Sequence, residues 1–243
     1  MKQLTYQKLL SLMLLVFAGC AAPVTQNVKF DYFATESKQG ALAAGGLGLL
    51  PVVASAGQEG LRRPFGNRLN KDLSNKFHEG KFIGDLETIA LISNAGLTED
   101  YSRLLNDYNR SAILNKDSLI RIGAAIGVEH LLYVELLEQS QTEGLAPRIL
   151  SKDPLVVKEI KMNIFGQVWS CTIGDVVWEG TGEISVQTGD QWTYKQAVDE
   201  LVNMAARSIL KNLTGLEIPS STTSKISENK GTETNPSPDS PML

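Results

Sequence analysis

The sequence predicts an α/β fold in which helices cover a mixed sheet. Apolar residues recur at helical spacing in several segments, most clearly in a long one near the C-terminal end of the domain. A pair of segments before that helix alternates at the spacing of a β-hairpin. Strand-like and helix-like segments follow one another along the chain, and elements in such an order bury their apolar faces as a two- or three-layer sandwich.

The domain is predicted to begin with a strand and a helix. Leu47–Ala54 is a short apolar run typical of a buried strand, although Pro51 cannot donate to a sheet ladder. Pro64 fits the first turn of the following helix, and Gly80 fits its end. The apolar face of this helix repeats every four residues, at Phe65, Leu69, Leu73 and Phe77.

The middle of the domain is predicted to be a short strand followed by three helices. Lys81–Ile83 is the strand and Leu86–Asn94 the first of these helices. Thr98 and Asp117 are the expected N-caps of the next two helices, and Gly127 is the expected end of the last. Their apolar faces are Tyr101, Leu104, Leu105 and Tyr108, and Leu119, Ile120, Ile122 and Ile126.

The C-terminal part is predicted to be a strand, a hairpin and a long helix. Glu129–Leu137 is the strand, and the polar Gln139–Pro154, with two prolines, is the expected loop. Lys161–Cys171 pairs with Val176–Val186 across a four-residue turn. One face of the second strand is the apolar one, formed by Val176, Trp178, Gly180, Gly182, Ile184 and Val186.

Thr193 and Gln196 form a capping box at the start of the last helix. Its apolar stripe is Val198, Leu201, Val202, Ala205, Ile209 and Leu213, and Gly215 is its expected end.

The N-terminus carries the features of a bacterial secretion signal. Lys2 and Lys8 precede the apolar run Leu9–Ala18, and Cys20 follows two small residues. The run is about half of the ~20 residues that a membrane-spanning helix needs, so a cleaved signal is expected. The residues before Cys20 match a lipobox, which predicts a lipid-modified cysteine; the alternative is an ordinary signal peptide with a coincidental cysteine.

Four regions follow from these patterns. Residues 1–19 are the predicted signal peptide, 20–46 a lipidated tether, 47–217 the α/β domain and 218–243 a disordered tail. The tether consists mainly of small and polar residues, and it could span at most ~85 Å when fully extended. The tail cannot bury enough apolar surface to offset the entropy of ordering it.

The charge of the chain argues against nucleic acid as its main partner, and its cysteine content argues against an internal disulfide. The sequence has 23 Lys and Arg against 27 Asp and Glu, and loss of Lys2 and Lys8 with the signal leaves a net charge of −6. An acidic chain is a poor partner for nucleic acid. With Cys20 lipidated, Cys171 stands alone and no internal disulfide can form.

No set of residues indicates a reaction or a cofactor, and the chain is predicted not to be an enzyme. His78 and His130 are the only histidines, and neither has cysteines or carboxylates at metal-ligand spacing. Cys171 has no basic neighbours in sequence, so its thiol is expected to be unreactive. Glu179 and Glu183 share a strand face, which a solvent-exposed face explains better than acid–base chemistry does.

Two other features are possible binding sites by composition, and both have simpler structural explanations. The glycines of residues 45–48 and the loop 55–60 lack the Gly-Lys-Ser/Thr ending of a phosphate-binding loop. They are expected to let the tether enter the sheet. Arg62, Arg63 and Arg68 form a small basic group at a helix start, and such groups usually face solvent.

Three stretches together resemble a family. They are LGLLPVVAS at 47–55, LIRIGAAIGVEHLLYV at 119–134, and the hairpin GQVW at 166–169 with GDVVWEGTGE at 174–183. This combination is similar to periplasmic lipoproteins whose domain resembles the amino-terminal domain of the Tol translocation protein, including the curli secretion channel lipoprotein and activators of penicillin-binding proteins. The resemblance covers roughly residues 47–215. It implies a fold like the anticodon-binding domain of class II aminoacyl-tRNA synthetases. Ser170 stands where family members often have an acidic residue, so a hairpin contact that depends on the acid is not carried over.

The resemblance implies an envelope protein anchored by acyl chains such as palmitate. Ala21 follows Cys20, and in Gram-negative lipoproteins a non-acidic residue there favours the periplasmic face of the outer membrane. The expected function is a non-catalytic interaction or assembly module with an envelope protein partner, with a homo-oligomer possible. The alternatives are a subunit of an outer-membrane secretion pore, which the polar segment 139–154 disfavours, and an activator of a peptidoglycan synthase, for which the tether is short.

Overall fold

The computed structural model describes residues 25–34, 45–77, 82–146, 155–189 and 192–214. The strands of this part are β1 (Thr25–Ala34), β2 (Leu47–Leu49), β3 (Val53–Ala54), β4 (Phe82–Ile83), β5 (His130–Ala146), β6 (Leu155–Ser170) and β7 (Asp175–Thr188). The helices are α1 (Glu59–Lys76), α2 (Asp85–Asn94), α3 (Thr98–Ser111), α4 (Lys116–Ile126) and α5 (Tyr194–Thr214).

The strands form one mixed sheet in the order β1-β7-β6-β5-β2-β4, and β3 also pairs with β5. The strands β1, β7, β6 and β5 are antiparallel neighbours. The short strands β2 and β3 run parallel to β5, and β4 runs parallel to β2. The predicted α/β class with a mixed sheet covered by helices is confirmed.

One core lies between the sheet and the helices α1 and α5. Both helices present the apolar stripes that the sequence predicts, and every member of the α5 stripe is buried. Sheet residues opposite them include Leu132, Ile164, Trp178 and Ile184. This core includes most of the buried side chains of the long antiparallel strands.

A second core lies on the opposite face, under α2, α3 and α4. It contains Trp169 and Tyr133, which are among the largest fully buried side chains of the described residues. Helices therefore cover both faces of the sheet near β5 and β2, as in a three-layer sandwich.

The predicted short elements are confirmed with shifted bounds. The run Leu47–Ala54 forms two strands rather than one, since Pro51 interrupts the ladder on β5 and only three and two residues pair on either side. Helix α1 begins at Glu59, so Pro64 lies inside the helix and not in its first turn.

Two predicted caps are wrong. Helix α3 begins at Thr98, so Thr98 is its first residue and not its N-cap. The N-cap position is occupied by Leu97, whose side chain makes no capping hydrogen bond. Asn115, not Asp117, caps α4, because its Oδ1 accepts a hydrogen bond from the backbone nitrogen of Ser118 at 3.1 Å. Gly127 does end α4, with a φ of 81° that disfavours other residues.

The predicted capping box of α5 is confirmed. The backbone nitrogen of Thr193 donates to Gln196 Oε1 at 2.9 Å, and the nitrogen of Gln196 donates to Thr193 Oγ1 at 3.3 Å. The two residues thus satisfy each other's backbone donors.

The predicted hairpin is confirmed as β6 and β7, with one difference in its faces. The register shifts between Val168 and Trp169, so that Val168 pairs with Trp178 and Trp169 with Val176. Val177 is the extra residue of this bulge. As a result Val177 joins the first core, and Val176 packs against the second core instead of sharing the face of Trp178.

Two segments predicted to lie outside regular structure are strands. Within the predicted tether, Thr25–Ala34 forms β1, with ten consecutive residues paired to β7. Within the predicted loop Gln139–Pro154, residues 139–146 continue β5 and pair with the start of β6. Both segments are polar because at least one face is exposed. The partner of β1 is the distant strand β7, whereas residues 139–146 pair with the next strand, β6.

Candidate functional site

The edge strand β1 has one face against α5. Gln26 Nε2 donates a hydrogen bond to Glu200 Oε1 at 3.1 Å. Val28 and Phe30 pack against the first core, and Phe30 stacks on Trp178 with ring centroids 6.3 Å apart. Gly182 permits this stacking, since a Cβ there would come within 2.7 Å of the Phe30 ring. The alternate side chains of β1 therefore tie the N-terminal part of the described chain to the domain.

The opposite face of β1 and β7 is exposed, and we call it the open face. It is formed by Lys29, Asp31, Phe33, Glu179, Thr181 and Glu183, all of which are exposed. Lys29 Nζ lies 3.8 Å from Glu183 Oε1, and a pair this exposed contributes little to stability. The open face is therefore a mixed polar surface with one apolar ring, Phe33, 65% exposed.

An aromatic cluster lies where the open face meets the second core. The rings of Tyr133 and Trp169 stack at 5.1 Å, and Tyr108 of α3 packs on both at 5.5 and 5.1 Å. Trp169 Nε1 donates to Gln167 Oε1 at 2.7 Å, and Gln167 Nε2 donates to Glu179 Oε2 at 2.6 Å. A continuous chain of hydrogen bonds thus runs from the buried indole to the open face.

The tyrosines of this cluster stay protonated over the physiological range. Burial, followed by the charges of Glu179 and Glu135, raises the pKa of Tyr108 to about 12. Burial also raises the pKa of Tyr133, whose hydroxyl donates to Glu135 Oε2 at 3.2 Å. The cluster can donate and accept hydrogen bonds, but these phenols are poor proton donors or acceptors for catalysis near neutral pH.

The histidine, cysteine and glutamate residues that could carry catalysis lie in separate places. His130 is buried at the start of β5, and Cys171 is buried beside α4. Burial raises the pKa of the Cys171 thiol to about 12, which is the opposite of an activated nucleophile. Glu179 and Glu183 share the exposed face of β7, as expected. Cys20 and His78 lie outside the described residues.

The glycine-rich stretch and the basic group have structural contacts. Gly48 packs on β5, where an added Cβ would lie 3.0 Å from a methyl of Leu131. The carbonyl of Gly45 accepts a hydrogen bond from the backbone nitrogen of Glu129 at 2.8 Å. Arg68 pairs with Asp72 at 2.9 Å, whereas Arg62 and Arg63 are exposed.

The described part of the chain has neither a metal-ligand cluster nor a membrane-spanning helix. Within it, no three or more His, Cys, Asp or Glu side chains are grouped so that they could hold a metal ion. None of the helices there is long and apolar enough to cross a membrane.

Comparison with protein-family models and with curated proteins finds no match for this chain. Solved structures do match. A PelC dodecamer from Paraburkholderia phytofirmans is 9% identical, with 78% of this chain and 98% of that chain covered and a TM-score of 0.42. Lipoprotein GNA1162 from Neisseria meningitidis is 12% identical, with 71% and 99% covered and a TM-score of 0.34. The rare lipoprotein B from Shewanella oneidensis is 14% identical, with 69% and 94% covered and a TM-score of 0.33. Bacterial lipoproteins are thus among the proteins that this chain is similar to, and the grouping with the Tol amino-terminal domain stays a prediction.

Sequence reasoning missed β1, and with it half of the open face. The signal was present as an alternation in which Val28, Phe30 and Tyr32 are apolar or aromatic and Lys29 and Asp31 are charged. The polar residues around this alternation hid it, because a strand covered on one face only needs few apolar residues.

Proposed function

We propose that this chain is a lipid-anchored, non-catalytic interaction and assembly module of the cell envelope, held at the periplasmic face of the outer membrane. The observation that carries the proposal is the position of β1. The predicted lipid-bearing Cys20 precedes Thr25 by five residues, and Thr25 is the first residue of a strand built into the sheet.

The short connection sets the distance between the domain and the bilayer. Five residues span at most about 17 Å when extended, well below the ~85 Å available to a free tether ending at Gly46. The domain would therefore stay beside the membrane surface, and its effective concentration for other membrane-bound proteins would be high. The same short reach makes the alternative of a synthase activator, which has to cross the space to the cell wall, less suitable.

The arrangement of side chains supports binding rather than turnover. The thiol of Cys171 is buried with a raised pKa, and the acids Glu179 and Glu183 are spread over an exposed face. The open face offers charged groups of both signs, one hydroxyl group and one exposed ring, a composition suited to contact with another protein.

Membrane fractionation tests the anchor. Replacing Cys20 with Ala should release the protein from membranes into the soluble periplasmic fraction, and Cys171→Ala, the matched control, should leave it in the outer-membrane fraction. Mass spectrometry of the wild-type protein should show acyl chains on the N-terminal peptide. Continued membrane association of the Cys20 variant, or an unmodified peptide, would contradict the anchor.

Crosslinking in living cells tests the interaction. A photoreactive residue at Thr181 on the open face should give a discrete adduct with an envelope protein, whereas the same residue at Ser74, on the exposed side of α1, should not. Equal labelling from both positions would contradict a specific surface. Closed rings in electron micrographs of detergent extracts would favour the pore subunit instead.

A further inference from the structure

The outer edge of β1 is a long row of backbone groups without a strand partner among the described residues. In the sheet order β1 is terminal, and its ten residues pair with β7 without a register shift. Natural proteins protect such edges with prolines, bulges or several lysines, since an open edge templates pairing with another strand. This strand has no proline and one lysine, Lys29.

Two aromatic side chains beside this edge are exposed. Tyr32 is 55% exposed on the α5 side of the sheet, and Phe33 is 65% exposed on the open face. Both lie in the second half of β1, where neighbouring strands of the same chain leave them uncovered. An added strand would cover both.

We propose that β1 pairs antiparallel with β1 of a second copy of this chain, which joins the two sheets across a two-fold axis. The strand is complementary to itself in one register. With Phe30 opposite Phe30 of the second copy, Lys29 faces Asp31 and Asp31 faces Lys29, so two opposite-charge pairs form on the open face. Val28 then lies beside the second Tyr32, and Asn27 beside the second Phe33.

The neighbouring registers are disfavoured by charge. In an antiparallel two-fold pairing, residues of the same face must lie opposite each other. One strand can therefore slide along the other only by an even number of residues. A pairing centred on Lys29 places two lysines opposite each other, and one centred on Asp31 places two aspartates opposite each other. Like charges directly opposite destabilise a sheet.

The helices leave room for this arrangement. Helix α5 makes most of its sheet contacts with β7 and β6 and fewer with β1. Strands lie about 4.8 Å apart, so two α5 helices above their β7 strands would be about 14 Å apart across the joined sheet. Packed helices lie about 8–10 Å apart, so the two copies do not collide.

Charge exchange tests the pairing. The full-length chain with Cys20→Ala is measured by sedimentation velocity over a range of concentrations. K29E and D31K should each weaken the dimer about tenfold or more, since each replaces two attractive cross-strand pairs by repulsive ones. The double variant K29E/D31K should dimerise again, and an equimolar mixture of the two single variants should form heterodimers.

A control separates the edge from the rest of the sheet. K29E also removes the contact between Lys29 and Glu183, so E183Q, which removes the same contact from the other side, should leave the dimer constant unchanged. Circular dichroism and thermal melting establish that all variants fold.

Three results would overturn the proposal. The first is that the chain with Cys20→Ala alone is monomeric at all concentrations. This holds whether the edge is free or its amides are protected from hydrogen exchange by a segment of the same chain. A dimer that K29E and D31K leave unchanged would place the contact elsewhere. Loss of dimer in both single variants without recovery in the double variant would show that the charges do not face each other. The inference deepens the proposed interaction role, yet a monomer would leave the membrane fractionation and the Thr181 crosslink untouched.

Discussion

At the scale of single residues, Gln167 links the buried core to the open face. It is 5% exposed, and its two side-chain hydrogen bonds connect the buried Trp169 indole to Glu179. Gln167→Leu keeps the volume but leaves the indole N–H without its acceptor. The free energy of unfolding should fall by about 1–3 kcal/mol, the cost of a buried unsatisfied donor. Urea unfolding measures this loss. The control is Glu183→Gln, on the exposed part of the same face, which should change the free energy of unfolding by less than about 0.5 kcal/mol. A Gln167 variant as stable as that control would contradict the network.

Because of Cys171, we expect the free energy of unfolding to fall at alkaline pH. Burial raises the pKa of the folded thiol from 9.0 to about 12. The folded state thus prefers the neutral thiol, and this preference contributes fully below pH 9. As the pH rises from about 9 toward 12, the unfolded chain ionises first and the free energy of unfolding decreases.

Urea unfolding at pH 8 and pH 10.5 checks the alkaline effect. The wild type should lose more stability between these values than Cys171→Ala does. Tyr101 and Tyr108, whose pKa values burial raises to about 12, add a loss above pH 10 that both proteins share. An equal pH slope in the two proteins would contradict the assignment to the thiol.

At the scale of elements, the packing of α4 on the sheet depends on a glycine. An added Cβ at Gly123 would overlap Cβ and Sγ of Cys171 and would lie 3.1 Å from the carbonyl oxygen of Val128. Gly123→Ala should therefore destabilise the protein by about 1–3 kcal/mol, although alanine favours a helix by ~1 kcal/mol. Gly60 in α1 has open space around its Cβ position, so Gly60→Ala should stabilise the protein by about 0.4–1 kcal/mol. Denaturant midpoints that shift in the same direction for both variants would contradict this packing.

The elements that the sequence predicted well are those with a full apolar face. These elements are α1, with an apolar residue at every fourth position from Phe65 to Leu73, the apolar stripe of α5 and the alternating strand β7. In each of them the sequence pattern alone shows which face is buried. Polar strands could not be found in this way. Residues 140–145 are exposed and are held by pairing with β6, and the apolar pattern of the segment does not indicate that pairing.

The candidate site was less predictable than the fold for a related reason. The exposed acids of β7 follow from its alternation, but the open face also needs β1, which lies about 150 residues earlier in the chain and is the neighbour of β7 at the edge of the sheet. The caps show the same limit. Asn115 and Asp117 are both acceptable N-cap residues, and the position of the helix start decides between them.

At the scale of the whole molecule, β1 determines how the domain is connected to what precedes it. While β1 is paired, the domain begins at Thr25, whereas a detached β1 would extend the connection to the region of Gly46. The contact of Phe30 with Trp178 and with the glycines of β7 holds the strand in place. With the proposed anchor at Cys20, one strand pairing would set the reach of the domain, and a change on β7 would alter that reach.

Limited proteolysis of membrane vesicles tests this connection. An added side chain at Gly182 would push on Phe30 and on Ile164, so Gly182→Val should detach β1 and leave the rest of the sheet paired. Chymotrypsin, which cuts after Phe30, Tyr32 and Phe33, should then release the domain about tenfold faster or more, since cleavage follows the population of the locally opened strand. Gly144→Val is the matched control, because nothing lies within 4 Å of that Cβ position. Gly182→Ala, with a smaller side chain, should give an intermediate rate if the larger variant fails to fold. Equal release rates for the wild type and both Gly182 variants would mean that the packing of Phe30 on Gly182 does not protect β1 from cleavage.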